Sequence, residues 1–220
     1  MRILAVDTTT PRGSVALVEG GSPRAEVRLV AADRHSRWLL RAIGLAVEGL
    51  GLGPADVDAW VVATGPGSFT GVRVGLSTIQ GLALAASRPC LGLSALDALA
   101  ALARGTAAAT SVVALVDAFR DEVYSGVYDA AGRPRGEPRV SPVERVFDGL
   151  GGPVACVGDG AERFRERILE VRPDALFPPV EPWLAVTLAR EAAPRLAAGE
   201  GGPPDALRPL YLRPADVRKP

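Results

Sequence analysis

The sequence predicts an α/β protein of two related halves, residues 1–105 and 106–220, each a mixed sheet flanked by helices, with the second half reduced. Three observations predict it. Short apolar runs of strand type alternate with stretches of helical period along the whole chain. Val113-Ala114-Leu115-Val116-Asp117 echoes Leu4-Ala5-Val6-Asp7, and each is followed by turn residues and another strand-like run. Gly158-Asp159-Gly160-Ala161 echoes Gly65-Pro66-Gly67, both lying between a strand pattern and a helix pattern.

Residues 2 to 31 read as an antiparallel meander of three strands, Arg2 to Asp7, Ser14 to Glu19 and Arg24 to Val30, separated by Thr-Pro-Arg-Gly and Glu-Gly-Gly turn signals. Asp33 suits the cap of the next element, a helix in which Trp38, Leu39, Ile43, Ala46, Val47 and Leu50 recur at helical spacing. Ala59 to Ala63, an apolar run between Asp58 and a glycine loop, suits a central strand, and Thr70 is placed to cap a helix that runs to Ala86. A strand at Cys90 to Leu93 and a helix opened by Ser94 follow, and the alanine-rich segment Ala100 to Thr110 marks the boundary. In the second half Val113 to Asp117, Glu122 to Tyr128 and Pro153 to Val157 read as strands. Ser141-Pro142-Val143-Glu144 has the form of a capping box with proline at the first helical position. A helical pattern covers Trp183 to Leu196, and the tail after Gly201-Gly202-Pro203-Pro204 is expected to dock through Leu210, Tyr211 and Leu212.

With 220 residues and 48% hydrophobic content, the chain can form one larger domain or two small ones around a sizeable core. Basic and acidic residues number 25 each, so no global field draws the chain to nucleic acid or anionic lipid, and any RNA is expected to be held by a partner. Lys219 is the only lysine, a skew to which we attach no function. The first apolar run is cut by Asp7 and no stretch approaches a membrane span, so a cytoplasmic location without membrane contact is expected.

The string Gly65-Pro66-Gly67-Ser68-Phe69-Thr70-Gly71-Val72-Arg73-Val74-Gly75 runs from the strand pattern into the helix pattern, a junction that points backbone N–H groups at whatever lies above it. Gly71, Gly75 and Gly81, with Thr78 and Ala85, recur at three- to four-residue spacing. Each glycine costs roughly 1 kcal/mol against alanine inside a helix. Close approach of a phosphate, a packed strand or another helix is therefore expected.

The string resembles the signature of the TsaB (YeaZ) family, accessory proteins in threonylcarbamoyladenosine synthesis on tRNA. His35-Ser36-Arg37-Trp38-Leu39-Leu40 is similar to that family's His-Ser-x-x-Leu-Leu run, with Arg41 where proline is common. Asp117 to Tyr124 resembles its Asp-Ala-Arg-Arg-x-Glu-Val-Tyr stretch, with Phe119 replacing one arginine. The likeness is strongest over residues 2 to 101, with Gly158 to Ala161 and Tyr211-Leu212-Arg213 as weaker matches. It implies two RNase H-like, actin-like (ASKHA) domains of the kind found in actin, hexokinase and Hsp70. In that group the first aspartate and its turn meet phosphate or metal across an interdomain cleft. The candidate nucleotide-binding residues are then Asp7, Thr8, Thr9, Thr10, Gly65, Gly67, Gly158 and Gly160, for ATP or ADP at the cleft or at a partner interface. From the residues alone, Asp7 is equally the cap of a tight turn whose threonine hydroxyls bond local backbone.

No residue is assigned a catalytic role. His35 is the single histidine, so no H-x-x-x-H or H-E-x-x-H metal motif exists, and Cys90 and Cys156 lie in apolar contexts that suit small buried hydrophobes. Neither a metal nor an intrinsic cofactor is expected. TsaD, the family's catalytic relative, carries a related glycine-rich helix followed by a His-x-x-x-His motif; in that register this chain has Ala95 and Leu99. The resemblance thus implies a non-catalytic subunit that supports a TsaD-like enzyme in transferring threonylcarbamoyl to the tRNA adenosine beside the anticodon. A TsaE-like ATPase joins the pair, tRNA is reached only through the complex, and the chain alone forms a homodimer. The interface is expected to use His35, Leu39, Leu40, Ile43, Gly71, Val72, Gly75, Leu76 and Ile79 in a helix bundle. The alternative is an independent small phosphotransferase or ATPase of the same fold, using Asp7, the Thr8 to Thr10 turn and Gly158 to Ala161 around Mg-nucleotide. A protease stands third, since there is neither a metal motif nor a nucleophile–base pair.

Overall fold

Ile3 to Val6 and Val15 to Val18 are apolar at every position, so neither face of these strands suits water, and all eight side chains are buried. The computed structural model describes residues 1–30, 35–105 and 108–213. Strands β1 (Arg2–Asp7), β2 (Arg12–Glu19) and β3 (Ser22–Val30) form the expected antiparallel meander. Two further strands, β4 (Ala59–Ala63) and β5 (Cys90–Leu93), add in parallel, giving the order β3-β2-β1-β4-β5. The second sheet repeats this plan. Strands β6 (Ser111–Asp117), β7 (Glu122–Asp129) and β8 (Arg139–Pro142) are antiparallel, β9 (Val154–Val157) lies parallel to β6, and the order is β8-β7-β6-β9. The sequence echo is therefore an echo of topology.

The helices are α1 (Leu39–Glu48), α2 (Phe69–Ala86), α3 (Ala95–Leu102), α4 (Asp159–Arg163), α5 (Arg165–Val171) and α6 (Ala185–Ala197). They fill three layers around the two sheets. Leu39, Ile43, Val47, Val72, Leu76 and Ile79 of α1 and α2 close over Trp60 and Val62 on the outer face of the first sheet. Between the sheets, Leu96 and Leu99 of α3 and Leu188 of α6 join Ala5, Val61, Ala114 and Val116 in one continuous core. On the far side, Phe164 and Ile168 pack with Val146, Phe147 and Leu115.

The structure corrects two caps. Ser68, not Thr70, caps α2: its Oγ accepts from the Gly71 N–H at 3.3 Å, because a capping oxygen must stand before the first helical residue and Thr70 is already the second. Ser141 caps nothing. Pairing of Val123 with Ser141 and of Glu122 with Pro142 draws both residues into β8, and Glu144 is held by Arg167 at 2.6 Å. The Val143–Phe147 segment that follows is a 3₁₀ turn with no side-chain cap. The expected Asp33 cap lies outside the described residues.

The last helix and the tail return to the first sheet. The N–H of Ala185, in the first turn of α6, donates to Ser14 Oγ on β2 at 3.1 Å. Gly202 bridges to Cys90 on the edge of β5, and the Leu210 N–H donates to the Thr64 carbonyl at 2.8 Å. Tyr211 stacks on Phe69 with ring centroids 5.3 Å apart, so the tail docks as expected. Because Ser14 is buried and replaces a missing helical partner for Ala185, Ser14→Ala should lower stability by about 1–2 kcal/mol in urea unfolding. An unchanged midpoint would show that this cross-chain cap carries no weight.

Candidate functional site

Asp7 ends β1, and the threonines after it form a closed network. Asp7 Oδ1 accepts from the Thr9 N–H at 2.9 Å and from Thr9 Oγ1 at 2.7 Å. Thr8 Oγ1 donates to the Gly71 carbonyl at 2.8 Å, and Thr10 Oγ1 accepts from the Arg12 N–H at 3.2 Å. The glycine string wraps this turn. A Cβ on Gly71 would stand 2.1 Å from the Thr8 carbonyl oxygen, one on Gly75 2.4 Å from Thr8 Oγ1, and one on Gly67 2.3 Å from the Thr9 carbonyl oxygen. Gly65 meets the Leu210 carbonyl oxygen at 2.9 Å in the same sense. Of the three close approaches open to these glycines, the structure selects a packed strand end.

Gly158 and Gly160 play the corresponding part in the second half. A Cβ on either would run into Leu115 of β6, at 2.2 Å from its oxygen for Gly158 and 3.0 Å from its carbonyl carbon for Gly160. What faces the space between the halves is acidic. Asp7 is 1% exposed and its Oδ2 has no partner among the described residues. Burial pushes its carboxyl up to about 6 against the pull of the two Thr9 hydrogen bonds, and the Asp159 carboxylate adds to the rise. Burial likewise pushes Asp159 up to about 6, with the Asp117 N–H and the Gly160 N–H holding its Oδ1 at 3.3 Å and 3.0 Å. Asp117 pairs with Arg163, and Arg12 crosses between the halves to Glu162 at 2.7 Å.

These residues do not form a phosphate cradle. The threonine hydroxyls are already bonded, Thr9 and Thr10 within the turn and Thr8 to the Gly71 carbonyl of α2, the glycines lie against the chain's own backbone, and the side chains left over are carboxylates that repel a phosphate. We derive no chemical step through a nucleotide here. At the positions of the TsaD histidine motif, Ala95 and Leu99 are buried in the central core. Cys90 and Cys156 are buried free thiols, and burial pushes Cys156 up to about 12.

The residues expected at a partner interface face mostly inward. His35, Leu39, Ile43, Gly71, Val72, Gly75, Leu76 and Ile79 are all buried, and Leu40 alone is well exposed, at 60%. The apolar stripes of α1 and α2 close over the chain's own sheet, and His35 packs edge-on against Trp38 with centroids 5.7 Å apart. Gly81 departs from the other helical glycines: six positions after Gly75, at roughly 100° per residue, it turns to the outside and meets nothing within 4 Å.

The outer surface of the two helices shares only Leu39 and Leu40 with the expected set. Ser36, Leu39, Leu40, Phe69, Thr70, Arg73, Val74, Ser77 and Thr78 line a groove of about 490 Å³. Phe69, 48% exposed, sits at its end under the Arg73 guanidinium, whose Cζ lies 3.9 Å from the ring centre, and Arg73 Nε donates to Tyr211 Oη at 2.9 Å. Sequence reasoning named Leu39 and Leu40 for the interface and missed Ser36, Phe69, Thr70, Arg73, Val74, Ser77 and Thr78. The available signal was the register of Gly71 and Gly75, which fixes the opposite face of α2 as the free one.

Two sheets of repeated meander-plus-parallel plan, with an aspartate ending the first strand of each, define an actin-like (ASKHA) α/β protein. The family model for tRNA N6-adenosine threonylcarbamoyltransferase, TsaD, matches residues 27–159. The tRNA threonylcarbamoyladenosine biosynthesis protein TsaB of Escherichia coli (strain K12) is 34% identical over 225 residues, covering 97% of this chain and 95% of that one. The solved structure of YeaZ from Pseudomonas aeruginosa is 34% identical with a TM-score of 0.81, covering 96% of this chain and 99% of its own. The chain belongs to the TsaB (YeaZ) family. A Clostridium difficile activator of 2-hydroxyisocaproyl-CoA dehydratase with bound ADPNP covers 96% of this chain at a TM-score of 0.56 and 10% identity, and so shares the fold alone.

Two outcomes test the Asp7 turn. Gly75→Ala should lower stability by about 1–3 kcal/mol, since the new methyl meets Thr8 Oγ1; a neutral result in thermal unfolding would contradict the close packing. A carboxyl raised in the folded state favours folding at low pH and loses that contribution as pH rises through about 6. Asp7→Asn keeps an Oδ1 acceptor for Thr9 and should therefore stabilise the fold by roughly 2–3 kcal/mol at pH 7.5 and little at pH 4. Equal destabilisation at both pH values would contradict the buried charge.

Proposed function

We propose that this chain is a non-catalytic subunit in tRNA threonylcarbamoyladenosine biosynthesis. It binds a TsaD-like catalytic subunit through the outer face of α1 and α2. The observation that carries the proposal is the chemistry of α2. Across its 18 residues Arg73 is the only charged side chain, yet one face of the helix is open to solvent. A solvated helix face ordinarily carries many charges. Here it presents Thr70, Val74, Ser77, Thr78, Gly81 and Ala85, with Leu84 70% exposed, and small residues at such spacing let another helix approach closely. An exposed apolar and hydroxyl surface of this kind marks a protein–protein contact.

The family to which the chain belongs supports the same conclusion, since its E. coli member is named for this biosynthesis. In the proposed arrangement the catalytic groups and the contact with tRNA reside in the partner, a TsaE-like ATPase joins the assembly, and any ATP or ADP lies where the subunits meet. With no partner present the same face pairs with a second copy, since a two-fold contact reuses one patch. We assign the complex to the cytoplasm because its proposed substrate is tRNA. Among the described residues no helix is long and apolar enough to cross a membrane.

Sedimentation velocity of the chain, alone and mixed with the TsaD-like protein of its own organism, tests the proposal. A homodimer that gives way to a one-to-one heterodimer is expected. The double variant Leu40→Asp/Val74→Asp, changed on the groove, should weaken the heterodimer at least about tenfold while leaving the melting temperature within a few degrees. Undiminished association of that variant would remove the groove from the interface, and normal modified tRNA in a strain lacking the gene would remove the biosynthetic role.

A further inference from the structure

The charges around the groove identify the chemistry of what covers it. Its walls are apolar or hydroxyl-bearing, and among the lining residues Arg73 carries the only charge. Arg37 and Arg41 stand one residue from the lining Ser36 and Leu40, and both are exposed. Among the described residues, Arg37, Arg41 and Arg73 form no ion pair. Elsewhere Arg12, Arg104, Arg163, Arg167, Arg172 and Arg213 each lie within 4.0 Å of a carboxylate, whereas Arg88, Arg139, Arg145, Arg165, Arg190 and Arg208 are, among the described residues, likewise without an ion pair; what sets the groove apart is that its three arginines stand together with no acid among its lining residues. Arg73 is also held in place: Phe69 lies under its guanidinium and Tyr211 takes its Nε hydrogen, which leaves the two terminal nitrogens without a partner among the described residues. Glu48, the only acid of α1, stands seven residues beyond Arg41, about 10 Å along the helix.

Resting on the docking face described above, we infer that the partner's contribution is an acidic amphipathic helix. Its apolar and small side chains enter the groove over Leu39, Val74 and Ser77, and its carboxylates meet Arg37, Arg41 and Arg73. A second copy of this chain is the poorer occupant. A two-fold contact through the same patch gathers six guanidiniums around one groove and supplies no carboxylate from either wall. Charge thus selects the heterologous partner over self-pairing, because like charges across an interface disfavour the wrong pair and opposite charges speed and steady the right one.

Salt separates the two occupants, since raising ionic strength shortens the screening length from about 10 Å at 0.1 M to about 3 Å at 1 M. Dissociation constants are measured at 50 mM and 500 mM NaCl, by sedimentation for the chain alone and by calorimetry for its mixture with the TsaD-like protein. The heterodimer should weaken about tenfold with salt, as expected for three solvent-edge ion pairs, whereas self-association should stay level or tighten. Arg37→Glu/Arg41→Glu, at two exposed positions with no ion pair among the described residues, should weaken the heterodimer about tenfold at 50 mM and little at 500 mM; Arg73→Gln should act in the same direction. A heterodimer whose affinity is level or rises with salt overturns the acidic partner while leaving the docking face standing. Self-association that is tighter at low salt overturns it as well. Absence of a heterodimer at either salt concentration overturns the docking face itself, and the acidic helix with it.

Discussion

Helix α2 lies against the Thr8-Thr9 turn more closely than a residue bearing a side chain permits, and the surroundings follow from that contact. With hydrogen in place of Cβ at Gly71 and Gly75, the helix meets the Thr8 carbonyl and hydroxyl directly. The Thr8 hydroxyl donates to the Gly71 carbonyl, and the Ser68 N–H donates to the Thr9 carbonyl at 2.7 Å. The start of α2 is thereby fixed to the end of β1. Three things are set at once: Asp7 is enclosed in a buried turn, Phe69 and Arg73 stand where the tail arrives, and the side of α2 away from the glycines is the one left to solvent.

The rest of the fold is arranged to support that junction. α3 and α6 lie between the sheets and share one apolar core with both, so the two halves meet over a continuous hydrophobic layer. The ion pairs that bridge distant segments, Arg12 with Glu162, Arg28 with Glu181 and Arg104 with Glu191, are largely exposed and contribute little each. Burial therefore holds the halves together, and the charges at the rim fix their register. The buried carboxyl of Asp7 works against stability at neutral pH, a cost that the packing around Trp60, Val62 and Ile79 offsets.

Strands were legible in the sequence because apolar runs of four to eight residues bounded by turn signals have few other interpretations, and helices because Leu39, Ile43 and Val47 keep strict period. The site was harder to see. An apolar stripe such as Val72, Leu76 and Ile79 identifies the buried face of a helix but not what buries it, and here the chain's own sheet does. The face left for a partner carries Thr70, Ser77, Thr78 and Gly81; the small-residue spacing included Thr78 and Gly81 but did not separate them from Gly71 and Gly75, which pack inward. Asp159 was visible only as a neighbour of glycines, since its environment depends on Asp7 and Asp117, far away in sequence. The cap of α2 was misplaced by two residues because Ser68 and Thr70 have the same chemistry, and only the helix start distinguishes them.

The return of the chain's end to its beginning bears on synthesis. Ile3, Ala5, Val61 and Leu91 form a face that α6 covers, and Cys90 on the edge strand bonds to Gly202. Both covering segments are made about a hundred residues after the first sheet. A nascent chain that has finished the first sheet thus keeps an apolar face and an open strand edge for on the order of ten seconds at ordinary elongation rates. Truncation before residue 185 would leave that surface bare, as a template for another chain, so the two ends of this molecule fold as one unit although its halves repeat one plan.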